Sequence, residues 1–152
     1  MKASYICLCE YELFAPTLTA SPVPATLAAP SIDDVDAIFR GFADPTRIRI
    51  LSLLAAGELC VCDIVEILDL PQPAVSRHLA YLRRTGLVAV RYEAKFAHYR
   101  LAAPTNPVHK NLVSCVRSCF LGIGALDAER QHAAERVAQR ARDGTCSTTS
   151  AK

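Results

Sequence analysis

Seven cysteines carry most of the chemistry open to this chain of 152 residues. Six fall into pairs, Cys7 with Cys9, Cys60 with Cys62 and Cys115 with Cys119, and Cys146 stands alone near the end. Thiolates are soft donors suited to arsenic(III), antimony(III), cadmium, lead and zinc. An odd number of cysteines argues against a closed disulfide framework. Glu10 and Glu12 also occupy the place where the apolar core of an export signal would run. In a reducing compartment, clustered cysteines bind metals or undergo redox chemistry more often than they form bridges. The expected location is therefore the cytoplasm. No apolar run reaches the eighteen or so residues of a membrane span, so no membrane partner is expected.

Cys60 and Cys62 are expected near the start of a helix, where the helix dipole lowers a thiol pKa. In an ideal helix, positions i and i+2 point roughly 200° apart. Both thiols reach one ion only if that helix start is frayed or distorts on binding. Cys115 and Cys119 are one helical turn apart and share a face. They are candidates for a second site in a terminal helix, or for the ligands that two cysteines alone do not supply. Arsenic favours three thiolates, while cadmium and zinc favour four ligands. The cysteine count allows either, so the metal stays open.

A second constellation is basic. The net charge of the chain is only +2, but from Leu70 to Arg100 six basic residues (Arg77, Arg83, Arg84, Arg91, Lys95, Arg100) face one acid, Glu93, a local net of +5. A patch of this kind binds phosphate through counterion release.

The elements that must position these groups follow from periodicity and punctuation. Residues 1–31 read as a flexible arm carrying Cys7 and Cys9, rich in Ala, Pro, Thr and Ser from residue 15 onward. The folded part, 32–126, opens with Val35, Ile38, Phe39 and Phe42 at helical spacing. Asp44-Pro45 restarts the chain as a second helix, with an N-cap acceptor followed by proline at the first position. Ile48, Leu51, Leu53 and Leu54 are its buried residues, and Gly57 ends it. A third helix is expected from about Glu58 to Leu68, with Ile64, Ile67 and Leu68 inward. After Asp69-Leu70-Pro71 a fourth runs from Gln72 to Thr85. Its inner face is Val75, Leu79 and Leu82, and its outer face is Gln72, Ser76, Arg77, His78 and Tyr81. Two strands, around Leu87–Tyr92 and Phe96–Leu101, form a hairpin through Glu93-Ala94-Lys95.

From about Thr105 a long helix carries Leu112, Val116, Cys119, Ile123 and Leu126 as a heptad seam, with a bend allowed at Gly122 and Gly124. The seam favours a dimer interface. Residues 127–142 read as a helical extension and 143–152 as a disordered tail. The fold class is mainly α with a small β-hairpin wing: a winged helix-turn-helix, dimeric through its terminal helices.

The fourth helix is then the element that enters a major groove of double-stranded DNA. Arg77 suits guanine and Gln72 adenine, while Ser76 discriminates less. His78 lies on the same face. Arg91, Lys95 and Arg100 of the wing are placed to follow the phosphate backbone or the adjacent minor groove. DNA binding itself calls for no cofactor.

Phe42-Ala43-Asp44-Pro45-Thr46-Arg47-Ile48-Arg49-Ile50-Leu51, Gly57-Glu58-Leu59-Cys60-Val61-Cys62-Asp63-Ile64 and Gln72-Pro73-Ala74-Val75-Ser76-Arg77-His78-Leu79 resemble the ArsR/SmtB family of metalloregulatory repressors. The resemblance covers about residues 33–126 and includes Tyr99 and Leu101 of the wing. It implies a homodimeric repressor that binds an inverted-repeat operator and leaves it when As(III) or Sb(III), or alternatively Cd, Pb or Zn, binds the cysteines. In similar arsenic repressors a third cysteine often stands near position 65, which here is Val65. In similar cadmium and lead sensors, N-terminal cysteines of the partner's arm complete the site, a role Cys7 and Cys9 would fit. The resemblance also implies glycine at the wing tip, where this chain has Ala94. The family's zinc pattern is incomplete here, because Pro107 precedes His109 where aspartate is expected, and His132 has only Glu135 after it.

Two other readings remain. Cys60 or Cys62 could bridge Cys115 or Cys119 in a persulfide- or redox-sensing repressor of the same fold. A thiol enzyme is the remote alternative. It lacks a Cys-x-x-Cys motif, a glycine-rich phosphate loop and a Gly-x-Ser-x-Gly elbow.

Overall fold

The computed structural model describes residues 30–93 and 96–143. Helices packed around a leucine-rich centre make up most of the architecture, and the order of elements is α1 (Ile32–Phe42), α2 (Pro45–Leu54), β1 (Leu59–Cys60), α3 (Val61–Leu68), α4 (Gln72–Arg84), β2 (Val88–Glu93), β3 (Phe96–Leu101), α5 (Pro107–Ser118) and α6 (Gly124–Asp143).

Local chemistry explains the helix starts. Ser31 caps α1 in a reciprocal box with Asp34. Asp44 accepts the Arg47 N–H at 2.9 Å, and Pro45 occupies the first position of α2. Asn106 caps α5 by accepting the His109 N–H at 2.9 Å, again with proline at the helix start. The core forms where the inner faces meet: Ile50, Leu51 and Leu53 of α2, Ile64 of α3, Val75, Leu79 and Leu82 of α4, and Leu87 before the wing are all fully buried. The expected inner face of α4 is therefore observed. On α1, Ile38 is buried but Phe39 is 54% exposed, so that face is narrower than its spacing suggests.

Two differences from the expected elements matter for function. The third helix does not begin near Glu58. Leu59 and Cys60 are extended and pair antiparallel with β3, Leu59 opposite Tyr99 and Cys60 opposite His98, making a sheet in the order β1-β3-β2. The helix starts only at Val61, because this pairing holds Cys60 at φ −72° and ψ 151°.

The continuous terminal helix is also absent. α5 ends at Ser118, and Gly122, at φ +84°, turns the chain where a side chain would be strained. The seam is broken accordingly: Val116 and Leu126 are buried, while Cys119 and Ile123 are exposed. α6 packs against α2, α3 and β1 of the same chain. Ala133 is fully buried there, and the expected boundary between residues 126 and 127 falls inside this helix. Gly57, at φ +152°, admits Val137 so closely that a Cβ would lie 3.0 Å from its methyl. Among the described residues, no helix is long and apolar enough to cross a membrane.

Candidate nucleic-acid interface and thiol site

α3 and α4 meet through a tight turn. Asp69 closes α3 in the left-handed conformation, φ 52° and ψ 48°, and Pro71 stands directly before α4. α3 and α4 pack on each other, with β2 against α4, so the helix pair and hairpin form a winged helix-turn-helix. With Val75, Leu79 and Leu82 buried, helical geometry leaves Gln72, Ser76 and Arg77 exposed. Among the described residues, the Arg77 guanidinium makes only a local 3.4 Å bond, to the carbonyl of Pro73.

His78 differs from these three. It is half-buried, and its Nδ1 lies 3.6 Å from the Asp44 carboxylate, toward the body of the protein. Tyr81 is half-buried as well, flanked by the guanidinium groups of Arg47 at 4.5 Å and Arg84 at 5.1 Å from the ring centre. Arg47 also donates to the carbonyls of Arg40 and Gly41, tying α1, α2 and α4 together.

In the wing, Arg100 is exposed. Arg91 is held by two carboxylates, Glu58 at 2.6 Å and Glu93 at 2.7 Å. Those hydrogen bonds raise the guanidinium pKa further, and Arg91 in turn lowers that of Glu93. Lys95 and Ala94 lie outside the described residues, as do Cys7, Cys9 and Cys146.

The thiol pair sits at the other end of α3. Cys60 is buried and is the N-cap of the helix. Its Sγ accepts the Cys62 N–H at 3.4 Å, and Asp63 Oδ2 accepts the Cys60 N–H at 3.1 Å. This is a capping box with cysteine in the place of serine. Because Cys60 lies before the helix rather than in it, the 200° divergence of an ideal helix does not apply, and the Cys62 backbone N–H reaches the Cys60 sulfur. The expected lowering of a thiol pKa by the dipole is not what Cys62 experiences. Partial burial, the hydrogen bond from Cys60 and the neighbouring Cys60 and Asp63 charges push it up to about 11.

Asp63 is buried and ion-paired with Arg140 near the end of α6, and Arg140 also donates to the Glu58 carbonyl at 3.2 Å. The Arg140 guanidinium thus spans both sides of the segment that contains the cysteines. Arg136 pairs with Glu66, and Arg49 with Glu129 at 2.5 Å, fixing α6 across α3 and α2.

Cys115 and Cys119 occupy the end of α5, where the Cys119 N–H donates to the Cys115 carbonyl at 2.8 Å. Among the described residues, no three His, Cys, Asp or Glu side chains gather closely enough to hold a metal ion. The structure therefore joins Cys60 to Cys62 and does not bring Cys115 and Cys119 to them. The donor set fits a soft ion in type, but one chain supplies two thiols at this point.

Sequence reasoning missed Glu58, Asp63 and Arg140. Cys60-x-x-Asp63 has capping-box spacing and could have been recognised. Arg140 lies 77 positions from Asp63 and carries no local signal.

Residues 44–90 match the model of the family described as bacterial regulatory protein, arsR family. The chain is 52% identical over 66 residues to the arsenical resistance operon repressor of Escherichia coli (strain K12), covering 43% of this chain and 56% of that protein. It is 33% identical over 95 residues to the transcriptional repressor SmtB homolog of Synechocystis sp. (strain ATCC 27184 / PCC 6803 / Kazusa), covering 62% of this chain and 72% of that one. Among solved structures, HlyU from Vibrio cholerae N16961 superposes with a TM-score of 0.52 at 32% identity, over 58% of this chain and 92% of that chain.

Proposed function

We propose, from the premise that this chain belongs to the ArsR family of bacterial regulatory proteins, that it is a dimeric repressor whose operator binding is relieved by trivalent arsenic or antimony at Cys60 and Cys62. The observation that carries this reading is the joining of two functions on one short helix. α3 bears the thiol pair at its start, and its body packs against α4, whose outward residues are Gln72, Ser76 and Arg77.

In this reading the reduced dimer sets each α4 in a major groove of an inverted repeat, about one helical turn from its mate. Arg77 and Gln72 read base edges, and Arg100 and Lys95 neutralise phosphates. Cys60 and Cys62 hold the inducer, and the further donor is Cys115 or Cys119, or else Cys7 or Cys9 of the partner's arm. For both thiolates to serve one ion, the Cys60 sulfur gives up the Cys62 N–H, and the start of α3 rearranges beneath α4. Coupling between two such sites is typically about 1–3 kcal/mol and is reciprocal, so DNA weakens inducer binding by the same factor.

The test is fluorescence anisotropy of the reduced protein on the DNA upstream of its gene, titrated with arsenite, antimonite, cadmium, lead, zinc and a persulfide donor. The Cys60→Ser/Cys62→Ser protein serves as control, and serine keeps the helix cap. Release by arsenite or antimonite that is lost in the variant is the expected result. Release by cadmium and lead instead would assign a four-ligand site. Release by the persulfide donor alone would replace metalloid sensing with redox sensing, and failure to bind DNA would refute the repressor reading.

A further inference from the structure

The basic count of the wing region changes once the chain is folded. Arg91 is one of the six cations between Leu70 and Arg100, yet its guanidinium is already engaged by Glu58 and Glu93. Glu93 belongs to the same hairpin. Glu58 lies 33 positions earlier, two residues before Cys60. The sheet brings them together: Cys60 is opposite His98 on one side of β3, and Arg91 is opposite His98 on the other. Directly opposed residues share a face, so the thiol-bearing segment and Arg91 belong to one surface of the sheet. Glu58 is itself fastened from behind, because its carbonyl accepts from Arg140.

We infer that Glu58 is a positioning residue for DNA binding, which withholds Arg91 from the phosphate backbone and so lets the cysteine-bearing segment set how many phosphates the wing neutralises. Two carboxylates around one guanidinium leave that corner of the wing locally negative. A phosphate can recruit Arg91 only by displacing Glu58 or Glu93. Arg91 is half-exposed and its partners sit at the protein surface, so exchange is sterically open. The same three side chains thus have two arrangements, one internal and one facing DNA.

The inference rests on the wing meeting DNA, and the experiment separates the two ideas. Binding of the full-length reduced protein to a labelled duplex of its upstream DNA, and to a scrambled duplex, is measured across a salt series for wild type, Glu58→Gln, Arg91→Gln and the double variant. Each phosphate neutralised steepens the log–log salt dependence by about 0.9. Glu58→Gln is expected to tighten binding severalfold at low salt and to steepen the slope by about one, on both duplexes. In the Arg91→Gln background the same change should do neither. If Glu58→Gln acts equally in both backgrounds, it acts as a general change of charge and the positioning role is overturned. An unchanged slope in the single variant overturns it as well. If wild type binds neither duplex, the repressor reading falls together with this one. Glu93→Gln, at a more exposed site, provides a second variant should Glu58→Gln unfold, and it is expected to shift the slope in the same direction.

Discussion

On α4, Gln72, Ser76 and Arg77 project outward with few ties to the rest of the chain, while their positions are set by buried Val75, Leu79 and Leu82 beneath them. At the start of α3 the arrangement is reversed. There Cys60 caps the helix, Asp63 holds the Cys60 N–H, and Arg140 holds both Asp63 and the Glu58 carbonyl. A surface that recognises a rigid partner benefits from donors left unengaged on a fixed scaffold. A segment that is to respond to a ligand needs contacts that the ligand can exchange. The difference is between side chains waiting for a partner and side chains that already have one.

Substitutions can break this contrast. Asp63→Ala should have the largest effect, because it removes one member of a buried ion pair and a helix cap together. A loss of about 3 kcal/mol is expected, read from the urea midpoint. Stability within 0.5 kcal/mol of wild type, roughly the scatter of neutral surface changes, would mean that the segment is not held as described. Arg77→Ala should do the opposite. The urea midpoint stays where it is, while operator binding weakens by about 2 kcal/mol with relaxed base preference. Equal loss on operator and scrambled DNA would make Arg77 a phosphate contact instead.

Gly122→Ala probes the break that lets α6 return over α3. At φ +84° a side chain is strained, and a cost of about 1 kcal/mol is expected in thermal unfolding. The smallest effect concerns His109, which is buried, with Nδ1 accepting the Thr105 N–H and Nε2 without a partner among the described residues. Burial lowers its pKa. The folded chain therefore resists the proton that the unfolded chain accepts near pH 6.5. Its contribution is present above that pH and is lost as pH falls through the lower folded value. His109→Gln should flatten the decline of stability below pH 6.5, as measured by urea titration at several pH values.

What was legible in the sequence follows the same contrast. The inner face of α4 and its outward Gln72, Ser76 and Arg77 could be read because they repeat at helical spacing, whereas His78 and Tyr81, expected on the same outer face, are half-buried against Asp44 and Arg47. The start of α3 could not be read. Leu59 and Cys60 are extended because of a pairing with Tyr99 and His98, which no local pattern announces. Without that pairing, Cys60 and Cys62 read as two helical positions with diverging side chains. The terminal region misled in another way. Leu112, Val116, Cys119, Ile123 and Leu126 fit a heptad, and Gly122 and Gly124 were visible as weak points. In the fold the glycine conformation outweighs the heptad, which leaves Ile123 exposed. Arg140, Arg136 and Glu129 look like an ordinary charged helix surface until α6 folds back on α2 and α3.

The return of α6 has a practical consequence for protein engineering. Its last turns lie against the two-thiol segment but not on the outward face of α4. Positions 137 and 140 contact Gly57, Glu58 and Asp63. New sulfur or nitrogen donors introduced at position 137 would lie against the segment that leads into Cys60 and Cys62, while keeping the Asp63–Arg140 pair and leaving Gln72, Ser76 and Arg77 untouched. On the function proposed above, biosensor libraries confined to this helix would vary the analyte and keep the promoter constant.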